Sequence, residues 1–470
     1  MVELYPHQID LKNEVRAAFR KTRFVLMQAA TGFGKTQTAA SMIADGHAKG
    51  STVWFIVPRR ELARQTANTL ESWGVPFSYI MANYAHNPYA RVQIVSLQTV
   101  MQRYGKLKAP NLAMIDETHV SGASMDVLVA WLKKNGTFIL GMSGTPWRLD
   151  GQGLGKYYDH MVCGPSVRWL IDNKFLSDFR AFAPSRPDLS DVKTVGGDYD
   201  KKQLASKMED DRVLIGDAVR HYRQNAMGRL NMVYATSRKH SEMIATQFRD
   251  AGIPAMHMDG ETQDADRRRI IRAFAMRELL VMTTVDIATY GFDLAANAGM
   301  DVTVEAMSDL RPTKSLALQL QKFGRVLRRK DYPAIIHDHA GNIREFGLPD
   351  TDREWTLASR DRKKAGGDDE RTIASRQCSA CFFAHRPAPA CPNCGHVYPI
   401  QSRELDHIEG DLAEVTGLSP EDQAKLQRRK EQGMAKSLND LIALARARGY
   451  AAPEAWAAKI YTARKAGGGG

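Results

Sequence analysis

The stretch Gln28-Ala29-Ala30-Thr31-Gly32-Phe33-Gly34-Lys35-Thr36 lies between the apolar run Phe24-Val25-Leu26-Met27 and the Ala-rich segment from Thr38 to Ala44. A short strand, a Gly-bearing turn and then a helix is the setting a phosphate-binding loop needs, because backbone N–H groups at a helix N-terminus face an anion. Thr31, Gly32 and Gly34 would shape that loop, Lys35 would reach the β and γ phosphates, and the Thr36 hydroxyl would hold Mg²⁺. Ala29 stands where the strict pattern has Gly. An ordinary strand-to-helix turn with a solvated lysine has the same local pattern, so the rest of the chain must decide.

At 470 residues the chain is long enough for two to four domains with real cores. Lys plus Arg total 65 against 53 Asp plus Glu, a formal charge of +12, which suits a polyanionic partner and also suits plain solubility. No apolar run approaches membrane-spanning length, and the start lacks the layout of a secretory signal, so a soluble cytoplasmic protein without a membrane partner is expected. Five cysteines are too few for a disulfide scaffold, and four of them cluster.

Gln8 follows Leu4-Tyr5-Pro6-His7 and precedes a helical pattern from Leu11 to Phe19. A glutamine amide can read an adenine edge, or simply cap a helix. The strand run Thr52 to Val57 ends near Arg59 and Arg60, which can meet a nucleic-acid backbone or stay solvated. Val92 to Val95 leads to Ser96-Leu97-Gln98-Thr99, where Thr99 is suited to a phosphate. The strand Leu112 to Ile115 delivers Asp116-Glu117-Thr118-His119 to the carboxyl edge of a parallel sheet, where ligands of open α/β folds bind. Asp116 would hold Mg²⁺ and Glu117 would orient or deprotonate the attacking water. Thr137 to Met142 ends in Ser143-Gly144-Thr145-Pro146.

Strands alternating with helical segments make this part a parallel doubly wound domain. Pro184 to Gly197 reads as a linker, and a second α/β domain follows. Its markers are Asn231 to Ser237 with Thr236 and Ser237, the strand Leu279 to Met282, Gly291-Phe292-Asp293, and Gln321-Lys322-Phe323-Gly324-Arg325-Val326-Leu327-Arg328.

Taken in this order, Gln8, the Ala-x-Thr-Gly-x-Gly-Lys-Thr loop, Asp116 to His119, Ser143 to Pro146, Gly291 to Asp293 and Gln321 to Arg328 resemble a superfamily 2 DEAD/DEAH-box helicase over residues 4 to 330. Arg311-Pro312-Thr313-Lys314-Ser315 and Asp338-His339-Ala340-Gly341-Asn342 resemble a narrower bacteriophage and prophage group. The resemblance implies two tandem RecA-like parallel-sheet domains, 1–180 and 198–348, with ATP between them and nucleic acid across both. It implies that Gln8, Gly291 and Asp293 join the phosphate loop in binding ATP. His119, Ser143 and Thr145 would couple nucleotide state to domain motion. Gln321, Arg325 and Arg328 would enter the cleft from the second domain, the arginines as fingers on the γ phosphate. Arg59, Arg60, Thr99, Thr236, Ser237 and Arg311 are the candidate nucleic-acid contacts.

Tyr5, where the family often has Arg, and Leu294, where it usually has Pro, depart from the pattern. The function implied is an ATP-dependent DNA helicase or translocase of replication or recombination, in the host cytoplasm if phage-encoded. A nucleic-acid-stimulated ATPase switch, the motor subunit of a restriction-type complex and an RNA helicase are the alternatives. Oligomeric state is not readable.

Beyond the charged connector Arg360 to Gly367, Cys378-Ser-Ala-Cys381 and Cys391-Pro-Asn-Cys394 form two Cys-x-x-Cys knuckles. Their spacing points to a four-thiolate Zn²⁺ site in a small ribbon, 376–400, with His385 and His396 near enough to substitute; redox pairs are the other reading. Lone Cys163 is expected to be a buried thiol. A helical segment, 420–465, places Leu438, Leu441, Ile442 and Ala445 at helical spacing and carries the basic cluster Lys425, Arg428, Arg429 and Lys430, read first as a solvated face.

Overall fold

The computed structural model describes residues 3–58, 60–120, 122–148, 151–183, 187–210, 212–285, 302–359, 375–398 and 420–466. The chain divides into two compact units, Met1–Tyr398 and Pro399–Gly470, each taken by itself below.

The first unit is built on two parallel sheets. Strands β1 (Phe24–Gln28), β2 (Val53–Val57), β3 (Ser78–Ile80), β4 (Val92–Ser96), β5 (Leu112–Ile115), β6 (Phe138–Ser143) and β7 (His160–Cys163) lie in the order β3-β4-β2-β5-β6-β1-β7. All of their pairings are parallel. The central strands are apolar on both faces, as a sheet covered by helices on both sides requires. One face packs Val25, Met27 and Met114 against the helices Pro6–Ala18, Lys35–Ala48 and Arg60–Ser72; the other packs Leu26, Ile56 and Ile115 against Ala123–Lys134. Since β1 sits between β6 and β7, the loop leaving its carboxyl end lies beside the ends of β5 and β6.

The second sheet contains β8 (Phe179–Phe182), β11 (Asn231–Tyr234), β12 (Ala255–Met258), β13 (Val281–Thr284), β14 (Ala306–Asp309) and β15 (Ala334–Asp338), with the hairpin β9 (Thr194–Val195) and β10 (Asp198–Tyr199) apart from it. Its order is β12-β13-β11-β14-β15-β8, again parallel. The chain thus has the tandem RecA-like α/β architecture expected of it. A boundary at residue 180 nevertheless cuts β8, which pairs with β15 in the second sheet. The second lobe begins before the Pro- and Gly-bearing stretch, because β8 completes the sheet edge that Ala334–Asp338 would otherwise expose.

The cysteine knuckles are joined to this sheet. Strands β16 (Arg376–Gln377) and β17 (Phe383–His385) form a hairpin, and β17 pairs antiparallel with β8, Phe383 opposite Phe182 and Ala384 opposite Ala181. The ribbon therefore caps the open edge of the second lobe.

In the second unit, helices Pro420–Met434, Leu438–Ala447 and Pro453–Ala466 pack Leu441, Ala445 and Ala457 together with Ile442, Trp456 and Ile460. Ser437 and Asp440 close a capping box at the middle helix. Among the described residues no helix is long and apolar enough to cross a membrane.

Candidate nucleotide site

The loop after β1 turns into its helix through Gly34, whose φ of 93° makes it a left-handed N-cap to Lys35–Ala48. Lys35 Nζ donates to Ala29 O at 3.1 Å. The Gln8 amide braces this loop: Nε2 donates to Phe33 O at 2.9 Å, and Oε1 accepts the Tyr5 N–H at 3.0 Å. Gln8 is buried and both ends of its amide are engaged with backbone, so here it supports the loop.

Asp116 and Glu117 follow β5 into the same corner. Glu117 has φ 45°, a left-handed conformation that costs energy for a side chain with a Cβ and that clusters at functional sites. Its N–H donates to Asp116 Oδ1 at 3.0 Å, and Glu117 Oε2 lies 3.3 Å from His119 Nδ1. Burial, reinforced by Glu117 and opposed by Lys35, pushes Asp116 up to about 7. A divalent cation at that carboxylate would reverse the shift, so the acid pair fits Mg²⁺ together with the Thr36 hydroxyl.

His119 Nδ1 is 2.9 Å from Ser143 Oγ, and Ser143 Oγ donates to Thr145 O at 2.5 Å. The serine proton is therefore spent on Thr145, which makes His119 Nδ1–H the donor to Ser143 and leaves Nε2 as an acceptor. Burial holds the imidazole below its ordinary value, hence neutral. His119 thus bridges the acid pair and the end of β6.

The second lobe enters on the helix Leu316–Val326. A Cβ on Gly324 would fall 2.2 Å from the Thr31 Cβ and Cγ2, so only glycine lets this helix touch the phosphate loop. The approach brings Gln321, Arg325 and Arg328 to a cavity of about 310 Å³ whose other wall holds Thr31, Gly32, Gly34, Lys35, Thr36, Asp116 and Glu117. Gln65, on the helix Arg60–Ser72, also lines it. The spacing of Gln65 on an amphipathic helix gave no signal of this, because only the fold turns that face to the loop. Buried and without hydrogen-bond partners among the described residues are both ends of the Gln321 amide, His119 Nε2 and Thr145 Oγ1. The Gln321 amide, orphaned in this way at the wall of the cavity, is what a polar ligand would satisfy. A larger cavity of about 640 Å³ adjoins, touching Thr31 and Gly324 and walled by Phe323, Leu327 and Trp355. None of the acids or arginines named above line it.

Among the described residues, the candidate nucleic-acid contacts follow the carboxyl ends of strands and differ in access. Thr99 is buried, and its hydroxyl accepts the Ala82 N–H at 3.2 Å, which ties the loop after β3 to the helix Leu97–Arg103. Ser237 caps the helix Arg238–Asp250 and donates to Glu209 Oε1 at 2.5 Å, and Thr236 Oγ1 pairs with His240 Nδ1 at 2.9 Å. Arg311 follows β14 and is half-buried. Arg59, Gly291 and Asp293 lie outside the described residues, and of Arg60 only the start of its helix is described.

In the ribbon, Cys378 Sγ lies 3.6 Å from Cys394 Sγ and Cys381 Sγ lies 3.7 Å from Cys391 Sγ, all four within 4.8 Å of one another. Thiolates about 2.3 Å from a tetrahedral zinc sit about 3.8 Å apart, so the cluster has the size of a four-sulfur metal site. These contacts run between the two knuckles rather than within each, which disfavours two redox pairs. His385 is bonded to Tyr398 Oη at 2.7 Å and to Arg386 O, and His396 faces Ser379 Oγ at 3.3 Å, so neither histidine is needed as a ligand. Cys163 is exposed on edge strand β7, not buried as expected, since a strand with one neighbour leaves its outer residues to solvent.

A phosphate loop and acid pair on one RecA-like lobe, faced by a glutamine and two arginines on a second, have the make-up of a two-lobed ATPase. Residues 1–148 match the family described as type III restriction enzyme, res subunit, and residues 214–330 match the helicase conserved C-terminal domain. The chain is 30% identical over 409 residues to the 51.5 kDa protein of Lactococcus phage isolate 7-9, covering 84% of each. It belongs to the superfamily 2 helicases, a family that implies ATP and Mg²⁺. The fold is similar to that of the ATP-dependent type ISP restriction-modification enzyme LlaBIII solved bound to DNA, with TM-score 0.53 and 15% identity over 72% of this chain, which spans only 28% of that enzyme. It is also similar to Saccharomyces cerevisiae Dbp5 solved bound to RNA and ADP BeF3, with TM-score 0.50 and 13% identity over 74% of this chain and 92% of that one.

Proposed function

We propose that this protein is an ATP-dependent DNA translocase or helicase acting in replication or recombination, in the host cytoplasm if phage-encoded. The observation that carries the reading is the cavity shared by Lys35, Asp116 and Glu117 of one lobe and Gln321, Arg325 and Arg328 of the other. Lys35 would hold the β and γ phosphates, and Thr36 and Asp116 would hold Mg²⁺. Bound Mg²⁺ supplies charge neutralisation at the phosphates. Glu117 orients the attacking water and accepts its proton, with His119 beside it reporting to Ser143 and Thr145. The guanidinium forks of Arg325 and Arg328 stabilise charge spread over the departing phosphoryl oxygens. Because those arginines lie on the second lobe, hydrolysis requires closure and release permits opening, and each cycle shifts one lobe's grip on the strand.

DNA is favoured over RNA by the phage relative and by the res-subunit match, whereas proteins of like fold are solved on both DNA and RNA. The res-subunit match also supports a second reading, the motor subunit of a restriction-type complex. Zn²⁺ is assigned to Cys378, Cys381, Cys391 and Cys394. The test is ATP turnover measured with single-stranded DNA, duplex DNA, branched DNA and RNA, beside strand displacement on the best substrate. Stimulation by DNA above RNA supports the proposal. Turnover indifferent to every nucleic acid would sink it, and stimulation without displacement would leave a switch or a translocase that does not unwind.

A further inference from the structure

One residue from Gln321 and three from Arg325, the same helix carries Lys322, which is fully buried. A buried ammonium is costly unless every proton is paired. Lys322 Nζ donates to Asp309 Oδ1 at 2.7 Å, to Asp309 Oδ2 at 2.8 Å and to Arg311 O at 3.1 Å, which uses all three. Asp309, the last residue of β14 and also fully buried, further accepts the Asn342 Nδ2–H at 2.9 Å and the Arg311 N–H at 3.2 Å. Asn342 donates again to Arg311 O at 2.9 Å and accepts the Thr313 N–H at 3.1 Å. Thr313 Oγ1 donates to Asp198 Oδ2 at 2.9 Å, and Asp198 Oδ1 accepts the Lys314 N–H at 2.7 Å.

The Arg311 to Ser315 loop is therefore held at three backbone N–H groups and one carbonyl by side chains from β14, from the start of the helix Asn342–Phe346, from the β9–β10 hairpin and from the helix that faces the nucleotide cavity. The two sequence stretches that resemble the narrower phage group, 311–315 and 338–342, meet in this network. Well-packed apolar residues would stabilise the lobe as well as a buried ion pair does, so stability alone gives the network no purpose. What it does is fix the helix and the loop as one body. The loop lies at the carboxyl edge of the second sheet, where ligands of open α/β folds bind, and it carries the candidate contact Arg311.

We propose that Lys322, through Asp309 and Asn342, is a positioning residue that couples a nucleic-acid strand held at the Arg311–Ser315 loop to the placement of Gln321 and Arg325 at the nucleotide. The inference rests on the motor reading above. A strand that orders the loop orders the helix, so nucleic acid raises turnover rather than ATP affinity.

The test is the full-length double variant Asp309→Asn/Lys322→Met, which removes both charges together and so avoids a buried unpaired ion. ATP turnover is measured with and without a single-stranded oligonucleotide and the matching duplex, beside oligonucleotide binding by fluorescence anisotropy. Stimulated kcat should fall about tenfold or more, while KM for ATP and oligonucleotide Kd stay within about twofold of wild type. Stimulation within about twofold of wild type, with or without a lowered melting temperature, overturns the coupling. If the double variant melts below the assay temperature, Asn342→Ala removes the ties to Arg311 O and the Thr313 N–H while leaving the ion pair and its own bonds to Arg311; stimulated kcat should then fall in part, and stimulation unchanged from wild type overturns the coupling through Asn342. Wild-type protein that no oligonucleotide stimulates removes the motor reading and the coupling together, whereas stimulated wild type with an equally stimulated variant removes the coupling alone.

Discussion

Arg325 is buried where its helix meets the phosphate loop, a placement that fits the role proposed for its charge in hydrolysis. Arg325→Ala should bind ATP and oligonucleotide nearly as wild type does yet hydrolyse about a thousandfold more slowly, and Arg325→Lys should recover little because it lacks the planar fork. Single-turnover kinetics decide the matter: turnover within a few-fold of wild type, or a loss lying wholly in ATP affinity, would remove the finger assignment. A second single-residue effect concerns pH. His337 is fully buried at the end of β15 near His221 and His339, and burial pushes it down to about 3. A histidine with a lowered folded-state value contributes stability above its unfolded value near 6.5 and loses it as pH falls toward the folded value. His337→Leu should therefore gain on wild type by about 1 kcal/mol between pH 7.5 and 5.5. Equal shifts of the two melting temperatures over that range would show that the imidazole is not the group being charged.

Elements were legible in the sequence where they were long, apolar and central. β2, β4, β5 and β6 are runs of buried residues with both faces covered, and such runs declare themselves without knowledge of partners. Strands β3, β7 and β8 did not, since each is short and only partly buried, and its strand character comes from a neighbour. The misplaced Cys163 and the boundary at 180 both follow from that. The ribbon was legible as a cysteine pattern, but its hairpin's pairing with β8 was not. That pairing alters what metal loss should do. Protein prepared without chelator should carry one zinc per chain by elemental analysis. Cys391→Ser should raise hydrogen exchange not only in the knuckles but in Phe179–Phe182, because the edge strand loses its cover. Unchanged exchange in β8 would mean that the hairpin holds its place without metal.

Across the whole first unit, the chain crosses between the lobes a second time after the six parallel strands of the second sheet are complete. Asp350 accepts from Arg168 of the first lobe and Arg386 of the ribbon, each at 3.2 Å. Trp355 packs on Trp147 with ring centres 5.1 Å apart, Trp147 Nε1 donates to Ala358 O at 3.0 Å, and the Gly155 N–H donates to Leu357 O at 3.0 Å. A Cβ on Gly153 would stand 2.2 Å from Leu357 O, so this strap seats only against glycine. Gly153→Ala should expel it. Limited proteolysis should then cut between residues 349 and 359 faster than in wild type, and a fluorophore pair across the lobes should report a broader distance distribution. Wild-type cleavage rates would mean that the strap does not depend on that approach.

The sequence by itself determined which groups of the first lobe gather at the cavity between the lobes. Lys35, Thr36, Asp116 and Glu117 sit next to strong strands, and a strand end followed by a Gly-bearing turn or an acid pair places its groups through local geometry alone. It determined the order of the two lobes for the same reason. What only the tertiary structure decided is how groups distant in the chain meet: Gly324 against Thr31, Lys322 with Asp309 and Asn342, β17 along β8 and Leu357 over Gly153. No local pattern records these contacts, because a buried lysine and a solvated one are the same letter until packing removes the water.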